Sequence, residues 1–394
     1  MFRYLFKRDT FFTTIAVFVV MGLLALVPLN THVLDPLKMA LQDFDYNDLA
    51  FSKMRSNKPS ETDAKILVVN IDTAGRATLT QYLRQLQWLK AKAIGLDVIF
   101  EAARDSATDA ELAAAMKATP GLVTAFSLEE EGHHTVARDN FYEVMPEHNR
   151  GFVNFVGEDS GVIRHFSPFV EAGEGHNYTA FAAALSRIAD PAAFAVLEKR
   201  NHETEIINYT RRDGEFVVVD ASALFDPASA GLFAGKIVLL GDVTENPNNL
   251  LDRHFTPMNN RVVGKSWPDM NGVFVHANIL RMILDRDYVN RVPGWVNALI
   301  AVLLCWIMSA LFIRFYLDKH LWFHLVAKGA QLLFAILFVY LGLLFFAKMQ
   351  LKVNLTLTLV AVILVVDVLY FYEALSVWLH RKFGYKTIFY REHH

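Results

Sequence analysis

The sequence predicts a membrane protein: an extracytoplasmic α/β domain with a mainly parallel sheet, plus four transmembrane helices, one before the domain and three after it. Three observations predict this. Four stretches approach the roughly 20 mostly apolar residues a helix needs to cross a bilayer, one at the start of the chain and three close together at its end. Between them, short apolar runs alternate with segments of helical periodicity. Lysine and arginine gather in regions that four crossings place on one side.

The chain has 394 residues and is 53% hydrophobic, yet 20% charged, and the apolar residues are unevenly placed. A net charge of −3 gives no electrostatic footprint for nucleic acid. The one cysteine, Cys305, lies in an apolar run, which excludes an intrachain disulfide and a CxxC zinc site. The soluble region must therefore stand on a hydrophobic core, and it is long enough for one.

The membrane elements come first and last. Residues 1–10 carry Arg3, Lys7 and Arg8 and are expected in the cytoplasm, followed by a first span over 11–29. A cleaved signal peptide is the competing reading. The apolar run is long for one, and Pro28-Leu29-Asn30 is a poor cleavage site, so an uncleaved anchor is expected. The other spans are 293–314, 321–346 and 353–373, with a short basic cytoplasmic tail over 374–394. Arg314, Lys319, Arg381, Lys382, Lys386 and Arg391 agree with that orientation; Lys348 and Lys352 argue weakly against it. Residues 30–292 then lie outside the cytoplasm.

Within that region, Ile66 to Ile71 reads as a buried strand ending at Asp72, followed by Leu79, Tyr82, Leu83, Leu86 and Leu89 at helical spacing. Ala93 to Leu96 is a strand ending at Asp97. Thr108 and Glu111 form a capping-box pattern opening a helix that stops near Pro120, and Leu122 to Phe126 is a strand. Phe152 to Phe155 and Val162 to Phe166 read as a hairpin about Glu158-Asp159-Ser160-Gly161, and Tyr178 to Ile188 as a helix. Ile206 to Tyr209 and Phe216 to Val219 read as strands about Asp213-Gly214. Ile237 to Leu240 is a strand ending Gly241-Asp242, and Gly272 to Leu284 is a helix.

The order of these segments resembles the CHASE extracellular sensor domain of the second type. The pieces that carry the resemblance are Val68-Val69-Asn70-Ile71-Asp72, Ala93 to Phe100, Asp109-Ala110-Glu111-Leu112, Gly151-Phe152-Val153-Asn154 and Asp159 to Arg164. They continue with Gly235 to Gly241, Phe255-Thr256-Pro257 and Met270 to Asn278. The stretch before Arg76 departs from the family in lacking its Trp-Pro-Trp-Pro-like helix start. The resemblance implies a sensor-like module in a bacterial cytoplasmic membrane, with one anchor before the domain and three helices after it. Signalling members carry a cyclase or kinase domain after the last helix. The segment following Arg381-Lys382-Phe383-Gly384-Tyr385-Lys386 is too short for one, so action through another chain is expected.

Asp72, Asp97 and Asp242 each end a predicted parallel strand, where open α/β sheets bind ligands. Converging there, they would hold a cation or a cationic ligand; the plainer reading is that each caps a turn or helix. Asp252, His254, His276 and Asn278 would extend such a pocket, although a histidine on an apolar helix face is more often a hydrogen-bonded core residue. His133-His134 and His393-His394 read as polar surface. Asp159 and Arg164 read as a structural pair at a turn. Sequons at Asn177, Asn208 and Asn354 are short enough to arise by chance. No nucleophile elbow, P-loop, HExxH or reactive cysteine occurs, and no motif calls for a cofactor. In the bundle, Lys328 and Asp367 lie at similar depth on neighbouring spans. They are expected to pair or to meet a companion protein, since charge inside a bilayer is costly; the plainer reading is snorkelling by Lys328 alone.

The expected function is a non-enzymatic sensor or interaction subunit whose outer domain binds a small ligand or an envelope protein. The alternative is a permanent scaffold subunit of an envelope complex. An enzyme would rest on the clustered carboxylates alone. The expected partners are the lipid bilayer and another membrane or envelope protein, or a second copy of the chain.

Overall fold

The computed structural model describes residues 2–26, 45, 47–55, 63–131, 134–155, 161–173, 176–244, 252–259, 267–318 and 322–390. Outside them fall 27–29 of the first expected span, Lys319 and Leu321, the turn residues Glu158-Asp159-Ser160, His133, Arg391, His393 and His394. The side chain of His134 is likewise outside the description.

In chain order the elements are α1 (Arg8–Leu26), β1 (Asp63–Asn70), α2 (Arg76–Leu86), β2 (Ala93–Leu96), α3 (Ser106–Ala118), β3 (Leu122–Glu131), β4 (His134–Arg138) and β5 (Arg150–Phe152). Then come β6 (His165–Phe166), β7 (Phe169–Gly173), β8 (His176–Thr179), α4 (Phe181–Ala189), α5 (Pro191–Arg200), β9 (Glu205–Ile206), β10 (Phe216–Asp220) and β11 (Ile237–Gly241). The last are β12 (Arg253–His254), β13 (Met270–Asn271), α6 (Gly272–Asp285), β14 (Asn290–Arg291), α7 (Gly294–Asp318), α8 (Phe323–Met349), β15 (Leu351–Lys352) and α9 (Thr356–Phe383). The chain divides into two compact units, 41–289 and 1–40 with 290–394.

The first unit is built on a sheet of order β10-β1-β11-β2-β3-β4, with β5 also on β3; every pairing is parallel except β3 with β4. All residues of β2 and β11 are buried, which explains why they read as unbroken apolar runs. Alternate side chains point to opposite faces. Leu67, Val69, Ile94, Leu96, Val238 and Leu240 pack in one cluster with Leu79 and Leu83 of α2 and Leu112 and Met116 of α3. On the opposite face a Cβ at Gly95 would lie 2.8 Å from the Phe181 ring of α4, and one at Gly241 2.8 Å from Val273 of α6. α6 is buried almost all round, from Gly272 to Leu280 without a break.

Several expectations change here. The hairpin over 152–166 does not form: β5 pairs with β3, and β6 pairs with β9. Val162 bridges Phe255 instead. The strands flanking Asp213-Gly214 do not pair with each other, because β10 joins the edge of β1. α3 is capped by Asp105, which accepts from Thr108 N–H, so Thr108 lies inside the helix rather than at its cap. Tyr178 belongs to β8, hairpinned with β7. α5 was not anticipated, although Asp190-Pro191 is a sound start signal: Asp190 accepts from Ala193 N–H at 3.0 Å and Pro191 opens the first turn.

In the second unit, α1, α7, α8 and α9 are each long and apolar enough to cross a membrane. Val17, Cys305, Met308, Phe312, Val365 and Leu369 share one core. α8 leaves most of its apolar surface exposed. Short parallel pairing of β14 with β15 ties the start of α7 to the α8–α9 turn. α9 runs ten residues beyond the expected span end at 373, and the chain after it folds back. Buried Asp9 accepts from Tyr372 Oη (3.0 Å), Thr387 Oγ1 (2.8 Å) and Ile388 N–H (3.3 Å), so residues 387–388 are fastened to α1. The span is thus shorter than its helix because hydropathy registers the bilayer, not the helix end.

Gly151 in β5 lies so close to α4 that a Cβ there would fall within the Phe181 backbone. Gly151→Ala should destabilise the α/β unit by about 1–3 kcal/mol. Gly231→Ala, with open space around it, should change little. Urea denaturation of both variants checks this.

Candidate functional site

Sheet order places β11 between β1 and β2, so the residues after these strands form a row, Asp72, Asp242, Asp97. Backbone bonds fix the row: Ile71 N–H donates to Gly241 O and Asp97 N–H to Leu240 O. Asn70 Oδ1 accepts from Asp72 N–H and from Val243 N–H, both at 3.0 Å, joining the exits of β1 and β11. Asp72 takes a left-handed φ of 46° to turn away. The fourth carboxylate, Asp252, sits over the first residue of α6: Gly272 N–H donates to its carbonyl, and a Cβ on Gly272 would lie 2.5 Å from Asp252 Oδ1. The positive helix terminus favours a carboxylate there.

These groups sense one another's charge. Burial first, then the nearby Asp252 charge, pushes the Asp97 carboxyl up to about 8. Burial, then Asp252, then Asp72 raises Asp242. Yet among the described residues no three His, Cys, Asp or Glu side chains stand close enough to hold a metal ion. The row fits proton retention by Asp97 better than coordination of a cation.

His254 and His276 meet at Phe155. His276 is buried against the Phe155 ring at 4.6 Å and the Phe181 ring at 5.3 Å. Burial, then the neighbouring His254, holds its pKa down to about 3, so the ring is neutral. It is a core histidine held by aromatic contacts; among the described residues no hydrogen bond reaches its ring. His254 Nε2 lies 3.5 Å from Asp252 Oδ1, and its ring meets Phe155 edge-on at 5.2 Å. Asn278 is fully committed to the fold: its Oδ1 accepts from Thr210 and Arg211 N–H at 3.1 Å each, and its Nδ2 donates to Arg211 O and Phe274 O. It clamps 210–211 onto α6 and has no capacity left for a ligand.

Sequence reasoning missed a second polar group beside this end of the sheet. Asn271 Nδ2 donates to Asp213 Oδ2 at 3.0 Å, and Asp269 accepts from Thr256 N–H and Oγ1 at 2.7 and 2.6 Å. Burial pushes Asp213 up to about 7 and Asp269 to about 6. The helix corner that departs from the family pattern is closed by buried Arg76, which pairs with Asp109 and lies over the Phe100 and Phe141 rings. Beside it, burial pushes Asp139 up to about 6. Arg164 pairs with Asp48 through Nε (3.0 Å) and Nη2 (2.6 Å). Of the sequons, Asn208 is buried and donates to Asp287.

A further feature with no sequence signal is a cleft of about 500 Å³ at the β5–β8 edge of the sheet, lined by Arg150 and Arg187 among aromatic side chains.

In the second unit Lys328 Nζ lies 2.8 and 3.0 Å from the two Asp367 carboxylate oxygens. One turn to one side, Tyr370 Oη meets His324 Nδ1 at 3.0 Å; to the other, Gln331 Nε2 donates to Val362 O and Ile363 O at 2.6 and 2.7 Å. The three rungs form an antiparallel polar ladder between α8 and α9. Both charged side chains remain about half exposed, 52% and 49%.

A parallel-sheet α/β unit set in the chain between one apolar helix and three defines a multi-pass membrane protein with one large α/β domain. The CHASE2 domain model matches residues 15–313, and the chain belongs to that family of sensory domains. The match spans most of α1, the whole α/β unit and most of α7, and stops before α8 and α9. No curated protein and no solved structure gives a match.

The raised carboxyls fix the sign of a pH dependence. An aspartate whose folded pKa lies above 3.8 contributes stability at low pH that is lost as pH rises toward the folded value, by no more than about 1.4 kcal/mol per pH unit for each group. Asp139 and Asp269 act up to about 6 and Asp213 up to about 7, leaving Asp97 to act up to about 8. His276, with its pKa depressed to about 3, opposes them below pH 6.5. Asp97→Asn should therefore flatten the fall between pH 7 and 8 and be the more stable form at pH 8. Parallel urea profiles for the two chains across that interval would contradict the assignment.

Proposed function

We propose that this chain is a non-enzymatic sensor of a bacterial cytoplasmic membrane. Its α/β unit, on the extracytoplasmic side, binds a small ligand, and its membrane helices act on a separate partner protein. The observation that carries the partner reading is the half-exposed Lys328–Asp367 pair. Charge inside a bilayer normally faces a bundle interior or a companion. Here Leu325 and Leu332 of α8 and Ile363 and Phe371 of α9 lie one turn from the pair and are also exposed. Together they make a face with an apolar rim and a polar centre, suited to a helix that brings its own polar group.

The path of the chain supports the sensing half. Tyr288 and Val289 are buried in the α/β unit, and Asn208 Nδ2 holds Asp287 there. The next residue, Asn290, already donates to Gln350 O in the membrane unit. The α/β unit thus passes into the membrane unit between Val289 and Asn290 with no intervening linker. The fastening of residues 387–388 to Asp9 favours a second reading, a permanent scaffold subunit; a companion held identically whatever is added outside would point that way.

A photo-crosslinker at Leu332 in native membranes should capture a companion protein of defined mass, and one at Trp295, exposed near the other end of the spans, should not. Adducts at Leu332 with lipid alone, or with a second copy of this chain alone, would sink action through a separate protein.

A further inference from the structure

The cleft at the β5–β8 edge encloses about 500 Å³, within the roughly 300–1,000 Å³ of small-molecule sites. It is made by the fold rather than by one loop. β5 brings Arg150 beside β3, β8 brings Tyr178 and Thr179, and α4 carries Arg187.

Its two cations are under-used. The Arg150 side chain is only 12% exposed, and its guanidinium lies 3.9 Å from the Tyr142 ring centre. Nη1 donates to Tyr142 O at 2.8 Å, while Nε is buried with no hydrogen-bond partner. The nearest carboxylate, Glu143, is 3.9 Å away and 89% exposed, so it neutralises little. Arg187 donates to Thr179 Oγ1 at 3.2 Å and lies 4.4 Å from the Phe194 ring centre. Among the described residues it has no carboxylate partner.

The walls are aromatic. Phe126 meets Tyr142 at 5.0 Å and Tyr178 at 5.6 Å, both edge to face, and Phe169 adds a further ring. Burial raises the Tyr142 pKa, which keeps the phenol neutral. Glu147 and Glu198 stand at the exposed rim, where their charge disfavours a ligand of high negative charge.

We infer that this cleft binds a small organic monocarboxylate with a flat apolar body, its carboxylate on Arg150 and Arg187 and its body against Phe126, Tyr142 and Tyr178. Guanidinium groups suit this chemistry because their planar N–H forks match a carboxylate and stack on rings. The inference names a ligand class for the proposed sensor and rests on that reading.

The test uses the full chain in lipid nanodiscs, with benzoate as probe and benzyl alcohol as its uncharged counterpart, measured by isothermal titration calorimetry. Benzoate should bind at least about tenfold more tightly than benzyl alcohol. Arg187→Gln and Arg150→Gln should each weaken benzoate by about tenfold or more, and Asp97→Asn should leave it unchanged. Arg187→Gln keeps the test falsifiable should Arg150→Gln fail to fold, since of the two only Arg150 donates to a backbone carbonyl, that of Tyr142. Equal binding of the two probes, or benzoate affinity intact in both arginine variants, would overturn the site. Inorganic phosphate displacing benzoate at equal concentration would overturn the flat-bodied monocarboxylate. A chain that ignores benzoate yet still captures a companion from Leu332 loses this site and keeps partner-mediated action. A chain that binds benzoate with no companion keeps the site and loses partner-mediated action.

Discussion

Burial of β11, β2 and the 66–69 stretch of β1 on both faces is the constraint from which the α/β unit follows. A parallel strand covered on both sides must be apolar along its length, and the helices covering it must approach closely. That requires Gly95 under Phe181 and Gly241 under Val273, and it makes α6 a core helix rather than a surface one. At about 25 cal/mol per Å² of apolar surface, the two-sided packing supplies the main stabilisation of a chain that can form no disulfide of its own.

The same constraint decides where polar chemistry can stand. With both faces closed, carboxylates are left to the strand ends, where Asp72, Asp242, Asp97 and Asp252 crowd one another. Their crowding is settled by proton retention and by amides: Asn70 joins two strand exits, Asn271 reaches Asp213, and Asn278 pins a neighbouring segment. The sheet edge is under no such pressure. There β5, β8 and α4 leave a cleft whose arginines lean on rings instead of carboxylates.

Legibility in the sequence followed the same division. β2, β11 and the 66–69 stretch of β1 are plain because a strand buried on both faces is an uninterrupted apolar run, and the four apolar helices are plain because each is apolar over the length of a membrane span. The 152–166 hairpin does not form although two short apolar segments close in sequence look like partners. Their real partners are β3, β9 and Phe255, set by distant chain. The strand-end carboxylates could be located by sheet logic, but not their protonation, which depends on burial and on Asp252 arriving from eleven residues beyond β11's end. Arg150 and Arg187 gave no signal. Nothing local links them; the bridge between Phe152 and Ala180 brings their elements together. The pairing of Lys328 with Asp367 was readable from depth alone, whereas the rungs beside it needed the actual helix faces.

The proposed sensor requires the α/β unit and the α9 terminus to lie on opposite sides of a membrane. Cysteine accessibility tests this directly, since the native Cys305 is buried and gives no background. Glu111→Cys on α3 and Arg381→Cys on α9 both place a thiol at an exposed position. An impermeant maleimide applied to intact spheroplasts should label the first, and the second only after permeabilisation. Labelling of Arg381→Cys in intact spheroplasts, with Glu111→Cys protected, would contradict the account at its base.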